Sequence, residues 1–292
     1  PLSNVGTLTN QGIELEVGYK LSVDKVNLSF LANASYVKNE IKNLGNQTGY
    51  IDKESLPTLG TVSRNQNGYP IGYFFGYKAI GVFQTQEEID NYISPATGKP
   101  IQPNAVPGDT KFEDLNGDGV ISDDNEDRTM IGKPNPDWMV GLTVAADWNG
   151  FDLSAFFQGS FGADVFDALR RYELAAVNYT SDALERWTGP GTSNSMPRIV
   201  LGDTPKNFRP STLLVHDASF LRLRNLQVGY TLPAQLTRKA YIQRLRFYAS
   251  FDNLLTITGY KGMDPEIGST MGIDKGVYPQ ARVYTFGLNL TF

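Results

Sequence analysis

The densest chemistry in the chain lies in fourteen residues, Asp114-Leu115-Asn116-Gly117-Asp118-Gly119-Val120-Ile121-Ser122-Asp123-Asp124-Asn125-Glu126-Asp127. Side-chain oxygens of Asp114, Asn116 and Asp118 stand at positions 1, 3 and 5 of a loop, with Gly119 at the turn and the Val120 carbonyl after it. That spacing suits Ca2+, a hard cation that gathers oxygen ligands around a tight turn. Position 12 departs from the pattern, because Asn125 stands where a bidentate Glu is usual. A bulge of a residue or two brings Glu126 or Asp127 into that role. The expectation is a structural Ca2+ held by Asp114, Asn116, Asp118, the Val120 carbonyl and Asp127. The plainer alternative is an acidic turn without a metal. No flanking helix pair accompanies the loop, so a sensor switch is not expected.

Other constellations are weaker. His216-Asp217 with Ser211 or Ser219 has the residue types of a hydrolase but no nucleophile elbow, and a lone His at a strand entry reads as a polar rim residue. Glu14 and Glu16 could be a glycosidase pair, yet strand alternation alone puts them on one face. Tyr69, Tyr73, Phe74, Phe75, Tyr77 and Trp187 could stack on sugar rings, though packing within a folded loop explains them as well. No enzymatic activity is expected.

Composition narrows the class further. The 292 residues carry 26 Lys+Arg against 31 Asp+Glu, a net charge of −5, which argues against a nucleic-acid binder. With no Cys and one His, thiolate sites, disulfides and most His-based metal sites are excluded. Fifteen Tyr and 29 Gly suggest strands and turns. The mean hydropathy of −0.29 and the lack of a long apolar run exclude a membrane-crossing helix. They leave open a transmembrane β-barrel, whose alternating strands average to neutral hydropathy. Beginning Pro1-Leu2-Ser3, without Met or an apolar leader, the chain reads as processed or as a fragment.

The elements that must position these residues are strands. Period-2 alternation marks seven, at about 11–21, 26–37, 138–148, 151–161, 220–232, 245–254 and 283–292. Asn149-Gly150 is a two-residue type I′ hairpin signal. A change of phase near Arg224-Asn225 predicts a β-bulge. Trp138 and Trp148 bracket an apolar face of the length a tilted strand needs to cross a bilayer. Opposite faces carry Glu14, Glu16, Lys20, Asn27, Asn33, Arg244, Arg246 and Asp252, which suit a wet barrel lumen. Shorter and longer connections alternate, and the long ones span 39–136 and 162–219. Within them the spacing predicts helices at 85–92 (a Thr85/Glu88 capping box), at 181–187 (Asp182 and Glu185 likewise) and at 163–176. The competing architecture is a soluble β-sandwich, which would make the chain a secreted calcium-stabilised carbohydrate-binding module.

Several motifs together resemble SusC/RagA-type TonB-dependent outer-membrane transporters. They are Asn4-Val5-Gly6 with Asn10-Gln11-Gly12-Ile13-Glu14, then Gly68-Tyr69-Pro70-Ile71-Gly72-Tyr73-Phe74-Phe75-Gly76-Tyr77-Lys78. Pro107-Gly108-Asp109, the acidic loop leading to Asp127-Arg128-Thr129 and Ile131-Gly132, Phe220-Leu221-Arg222-Leu223-Arg224-Asn225 with Gly229-Tyr230, and Asp264-Pro265-Glu266 continue the resemblance. It implies an all-β fold, a transmembrane antiparallel β-barrel of about 22 strands filled by a plug. Residues 1–292 would be its C-terminal portion, with 39–136 and 162–219 as long extracellular loops and Phe292 at the periplasmic rim. It further implies residence in the outer-membrane lipid, uptake of a glycan or peptide driven by the TonB complex through an upstream region, and a SusD-like surface lipoprotein as partner. No nucleic-acid partner is implied.

Overall fold

A computed structural model describes residues 6–174, 176–267 and 271–292; Asn4 and Val5 of the first motif lie outside them. Seven long strands form one antiparallel sheet in sequence order: Thr7–Val23, Val26–Asn43, Trp138–Trp148, Phe151–Phe161, Phe220–Thr231, Arg244–Thr258 and Val283–Thr291. The seven predicted strands are all present. The first two run beyond the expected bounds, since Thr7 to Gln11 pair with Asn43 to Lys38. The apolar alternation fades there, and only Ile41 is buried, where the first long connection folds back on the strand at Gly68 and Tyr69.

Register aligns residue types across the whole sheet. One row reads Val23, Val26, Trp148, Phe151, Tyr230, Phe247, Leu288; another reads Tyr19, Phe30, Val144, Ala155, Leu226, Phe251, Tyr284. At the far end Ile13, Tyr36, Trp138 and Phe161 align. Among the described residues no second sheet covers this face, and Ile13 and Phe286 are 74% and 76% exposed. A two-layer sandwich is therefore not what these strands build. From Trp138 to Trp148 the strand rises about 33 Å, and a tilt of about 40° reduces that to about 25 Å, the height of a barrel's apolar band. The opposite face has polar rows, for example Lys20, Ser29, Ala145, Ser154, Gln227, Ser250, Thr285. All eight polar residues singled out from the sequence lie on it. There Asp152 receives Arg246 across the intervening strand, at 2.8 Å from Nε. That strand passes at Gly229, where a Cβ would come within 2.5 Å of both side chains.

Two short turns lie on one edge of the sheet, Asp24-Lys25 and Asn149-Gly150, with the segment 232–243 beside them. Asn149 and Gly150 both take positive φ (48° and 87°), as a type I′ turn requires. The bulge falls at Arg224: relative to the fourth strand, the fifth carries it as an extra residue between Leu223 and Asn225. Opposite it the sixth strand inserts Asn253 at φ 53°. This keeps Leu223 and Leu226 on the apolar face while Arg222 and Asn225 point the other way.

The long connections 44–137, 162–219 and 259–282 meet at the other edge and fold on one another. Tyr50–Asp52, Ser63–Gln66, Tyr73–Tyr77 and Arg128–Gly132 make a four-stranded sheet. A second small sheet joins Val215–Asp217, Asp164–Asp167 and Ile273–Asp274, the last pair parallel. Between them sits a core of Leu56, Val62, Phe74, Phe166, Ala168, Leu214 and Ile273, drawn from all three connections.

Three local expectations are corrected or refined. Among the described residues of 163–176 there is no helix: Val165 packs with Ala163, Ala218 and Tyr260 while Phe166 enters the core on the other side, so adjacent residues are buried on opposite faces of a strand. The stripe Val165, Leu169, Tyr172 was a coincidence of spacing, with Leu169 exposed and Tyr172 in a separate cluster. Ser181–Glu185 is a 3-10 turn without a side-chain cap, because Asp182 is drawn to Arg170 at 2.7 Å and the Thr180 hydroxyl to Tyr172 at 2.8 Å. The helix Gln86–Asp90 does form, with the Thr85 hydroxyl accepting from the Glu88 amide. Among the described residues no helix is long and apolar enough to cross a membrane.

Candidate functional site

The four-stranded loop sheet places unusual side chains together. Arg64 lies opposite Tyr73 and Arg128 opposite Tyr77, so both share a face with Phe75, while Tyr50 joins them opposite Gln66. The guanidinium of Arg64 lies 4.0 Å from the Tyr50 ring centre and 3.6 Å from that of Phe75. Arg128 lies 4.3 Å from Phe75 and 5.7 Å from Tyr77. Arg209, from the second long connection, lies 4.8 Å from Tyr77 and 4.9 Å from Phe112. Rings and cations thus alternate along seven residues, each contact favoured by the negative ring face. Gly76 lets the second connection approach, since a Cβ there would stand 2.3 Å from the Pro210 carbonyl, and the Tyr77 amide donates to that carbonyl at 2.8 Å.

This face holds its charges at a cost in hydration. Burial pushes the Arg128 guanidinium below and the Tyr77 phenol above their ordinary ranges. Asp203 accepts the amides of Asn207 and Phe208, yet burial outweighs them and pushes its carboxyl up to about 6. Asp123 is held below the usual carboxylate range by the Lys206 ammonium.

A second cluster ties the loops to the sheet at the bulge. Arg222, 2% exposed, donates to Asp264 at 2.5 Å, to Glu266 at 3.1 Å and to the Thr256 hydroxyl at 2.9 Å. Arg224 donates to Glu266 at 2.6 Å and to Gln158 at 2.6 Å. Burial pushes Asp264 up, but the amides of Gln280 and Glu266 together with Arg222 bring it below its ordinary range.

Along its whole length the chain is 32% identical, over 307 aligned residues, to TonB-dependent receptor P3 of Formosa agariphila, of which it spans 29%. To TonB-dependent receptor SusC of Bacteroides thetaiotaomicron it is 30% identical, with 99% of this chain and 27% of that protein aligned. The solved RagAB peptide transporter superposes with a TM-score of 0.76 at 27% identity, covering 99% of this chain and 30% of that one. The chain is a homologue of the SusC/RagA-type TonB-dependent receptors. It spans under a third of the length of the curated relatives it matches. No family model matches it. Its fold is part of an antiparallel β-barrel wall, with long loops at one rim.

In this receptor homologue the acidic loop is a compact turn. The Asp114 carboxylate accepts from the Gly117 and Gly119 amides at 2.8 and 2.9 Å, Asn116 from Asp118 at 3.0 Å, and Asp118 from Val120 at 2.9 Å. Asp127 is fully buried and accepts from the Leu115 and Ser122 amides at 3.1 and 3.0 Å, while Glu126 reaches back to Asn116 at 3.0 Å. Both candidate closing residues therefore return toward the loop's start. The donor chemistry fits a hard cation, but among the described residues no three acidic or imidazole groups are gathered around one point. Tyr77 holds the loop's far end by donating to the Ser122 carbonyl at 2.7 Å.

The remaining predicted groups are dispersed. His216 lies 3.6 Å from Asp167 and 3.4 Å from Arg170, while the Ser219 hydroxyl accepts from the Gly162 amide. Glu14 and Glu16 are exposed on the polar wall. Tyr73, Phe74, Phe75 and Tyr77 are buried packing residues, and Trp187 lies against Gly108. The arginines at 64, 128 and 209 were missed as site residues. The period-2 run Tyr73, Phe75, Tyr77 was the available signal, but its cations come from three separate segments.

Proposed function

We propose that this chain forms seven consecutive strands in the C-terminal part of a TonB-dependent outer-membrane importer, with connections 44–137, 162–219 and 259–282 outside the cell. Supporting this is the unbroken set of apolar rows on one face and polar rows on the other, each crossing several strands. The homology to receptors and to a peptide transporter fits the same reading. A glycan or peptide would be captured at the outer loops with a SusD-like lipoprotein and released inward when TonB moves a plug supplied by the rest of the protein. The chain's own residues contribute a wet wall and a rigid outer rim.

Topology is testable because these 292 residues have no Cys, so that only cysteines elsewhere in the full-length receptor need replacing first. Single cysteines at Leu184 and at Lys25 are introduced in the full-length receptor of intact cells and exposed to a membrane-impermeant maleimide. Leu184→Cys is expected to label at once and Lys25→Cys only after the outer membrane is permeabilised. Equal labelling of both would overturn the topology. Growth on peptides or on glycans as sole nutrient, with and without the receptor, identifies the imported class. Co-purification of a surface lipoprotein tests the partner.

We further propose that Asp114, Asn116, Asp118, the Val120 carbonyl and Asp127 hold a structural Ca2+. Bound, the ion would neutralise a loop that carries six carboxylates in fourteen residues. Amide exchange across residues 114–127 of the full receptor is expected to slow with Ca2+ relative to chelator; identical exchange would remove the ion from the account.

A further inference from the structure

The alternating stack contains three cations with unequal compensation. Arg64 has Asp52 at 2.7 Å, and Arg209 has Asp123 at 3.8 Å, a carboxylate it shares with Lys206. Arg128, between them, donates to the carbonyls of Thr61 and Phe75, and among the described residues it has no carboxylate within ion-pair distance. Beside it opens a cavity of about 470 Å³ whose lining includes Tyr77, Arg128, Glu173, Lys206 and Arg209.

Three of the residues that line this cavity carry a buried side-chain atom without a hydrogen-bond partner. Among the described residues five buried side-chain atoms lack a hydrogen-bond partner, and three of them, Arg128 Nε, Arg209 Nη1 and Glu173 Oε2, belong to residues lining it. A fourth, Ser211 Oγ, is adjacent in sequence to the lining residue Pro210. Buried polar groups are almost always paired, so three unpaired groups on residues of one lining call for a physical reason. Its own carboxylates are committed: Asp123 to Lys206, the other Glu173 oxygen to Arg171, and Asp203 to two amides. What is left over is the Arg128 Nε donor and one anionic acceptor, with Arg209 Nη1 held only by its 3.8 Å ion pair to Asp123.

We propose that this cavity binds a small carboxylate that carries its own hydrogen-bond donor, with the oxyanion on Arg128 and Arg209 and the donor on Glu173. Guanidinium planes held by aromatic stacking are suited to such an oxyanion. The volume accommodates a ligand the size of a sugar acid or a dipeptide. Two ligand sources share this chemistry, a hydroxy-acid such as a uronate and a zwitterion such as a peptide with free termini. The site stands on the cavity, independently of whether its ligand is imported.

Calorimetry on the purified full-length receptor, with galacturonate, glycylglycine, acetate and glucose as probes, tests the assignment. Binding of galacturonate or glycylglycine at millimolar concentrations is expected, with neutral glucose silent; whichever binds tighter identifies the source. Arg209→Gln should weaken the bound ligand about tenfold, the loss of one charge-assisted hydrogen bond. Glu173→Gln should weaken galacturonate or glycylglycine severalfold and leave acetate unchanged. Arg128 also ties two carbonyls, so amide protection of Tyr73–Tyr77 is measured in each variant to separate lost binding from a loosened sheet. Absence of binding by both acids, or undiminished binding in both variants with protection intact, would overturn the proposal.

Discussion

The long sheet and the loop assembly are built from the same side chains and treat them in opposite ways. Phe286 on the sheet is 76% exposed, whereas Phe74 and Phe166 in the loops are fully buried. Both regions are strands, and both place apolar residues by the same alternation. They differ in what supplies the apolar medium. The loops bring a second layer of chain and make their own core; the sheet presents its rows outward and takes its medium from lipid. An alternating pattern thus announces a face that must leave water, without saying whether protein or bilayer will meet it.

The contrast predicts unequal costs for equal changes. Phe166→Ala should destabilise the loop assembly by about 3–5 kcal/mol, as large truncations in packed cores do, read as faster amide exchange in Asp164–Asp167 and Tyr73–Tyr77 of the full receptor. The same truncation at Phe286 should cost under about 1 kcal/mol, because lipid fills the gap. Equal costs would break the comparison. Next in size, Val144→Arg on the outward face should cost about 2–4 kcal/mol near the bilayer midplane. Its neighbour Ala145→Arg, facing the polar side, should be tolerated; the yield of heat-modifiable receptor in the outer membrane distinguishes them.

A smaller effect concerns the loops alone. Burial raises Asp203 from 3.8 to about 6, so the folded loops hold its proton more tightly than the unfolded chain does. The resulting stabilisation is complete below pH 3.8 and is lost as pH rises through about 6. Exchange of the Asn207 and Phe208 amides, corrected for intrinsic rates, should therefore quicken across that window, and Asp203→Asn should flatten the dependence. Smallest, Thr85→Ala removes one helix cap and should cost about 1 kcal/mol, visible only as local exchange in Gln86–Asp90.

The sheet was the legible part. Lipid on one side and water on the other force strict alternation, so all seven strands, the Asn149-Gly150 turn and the bulge at Arg224 could be placed from residue types alone. Legibility stops where the alternation gives way to a single buried residue, as in the extension Lys38 to Asn43 with Ile41. It also fails where both faces are buried, as at Val165 and Phe166. Among the described residues the ordinary packed core lies in the loops and not under the long sheet. Site chemistry was harder to read because its partners are distant in sequence: Arg222 and Arg224 meet carboxylates of the third loop, and Arg128 meets rings and carbonyls rather than a charge. Only the acidic loop, whose groups are neighbours in the chain, stood out.

The parallel pairing of Phe166 with Ile273 carries a consequence in time. A two-residue turn lets neighbouring strands meet within about microseconds, but this contact joins segments about a hundred residues apart. Between them lie the fifth and sixth strands of the wall, so closing the core that Ile273 completes means closing a loop that contains both. Connectivity therefore makes this core a late, long-range contact beside the two-residue hairpins of the wall.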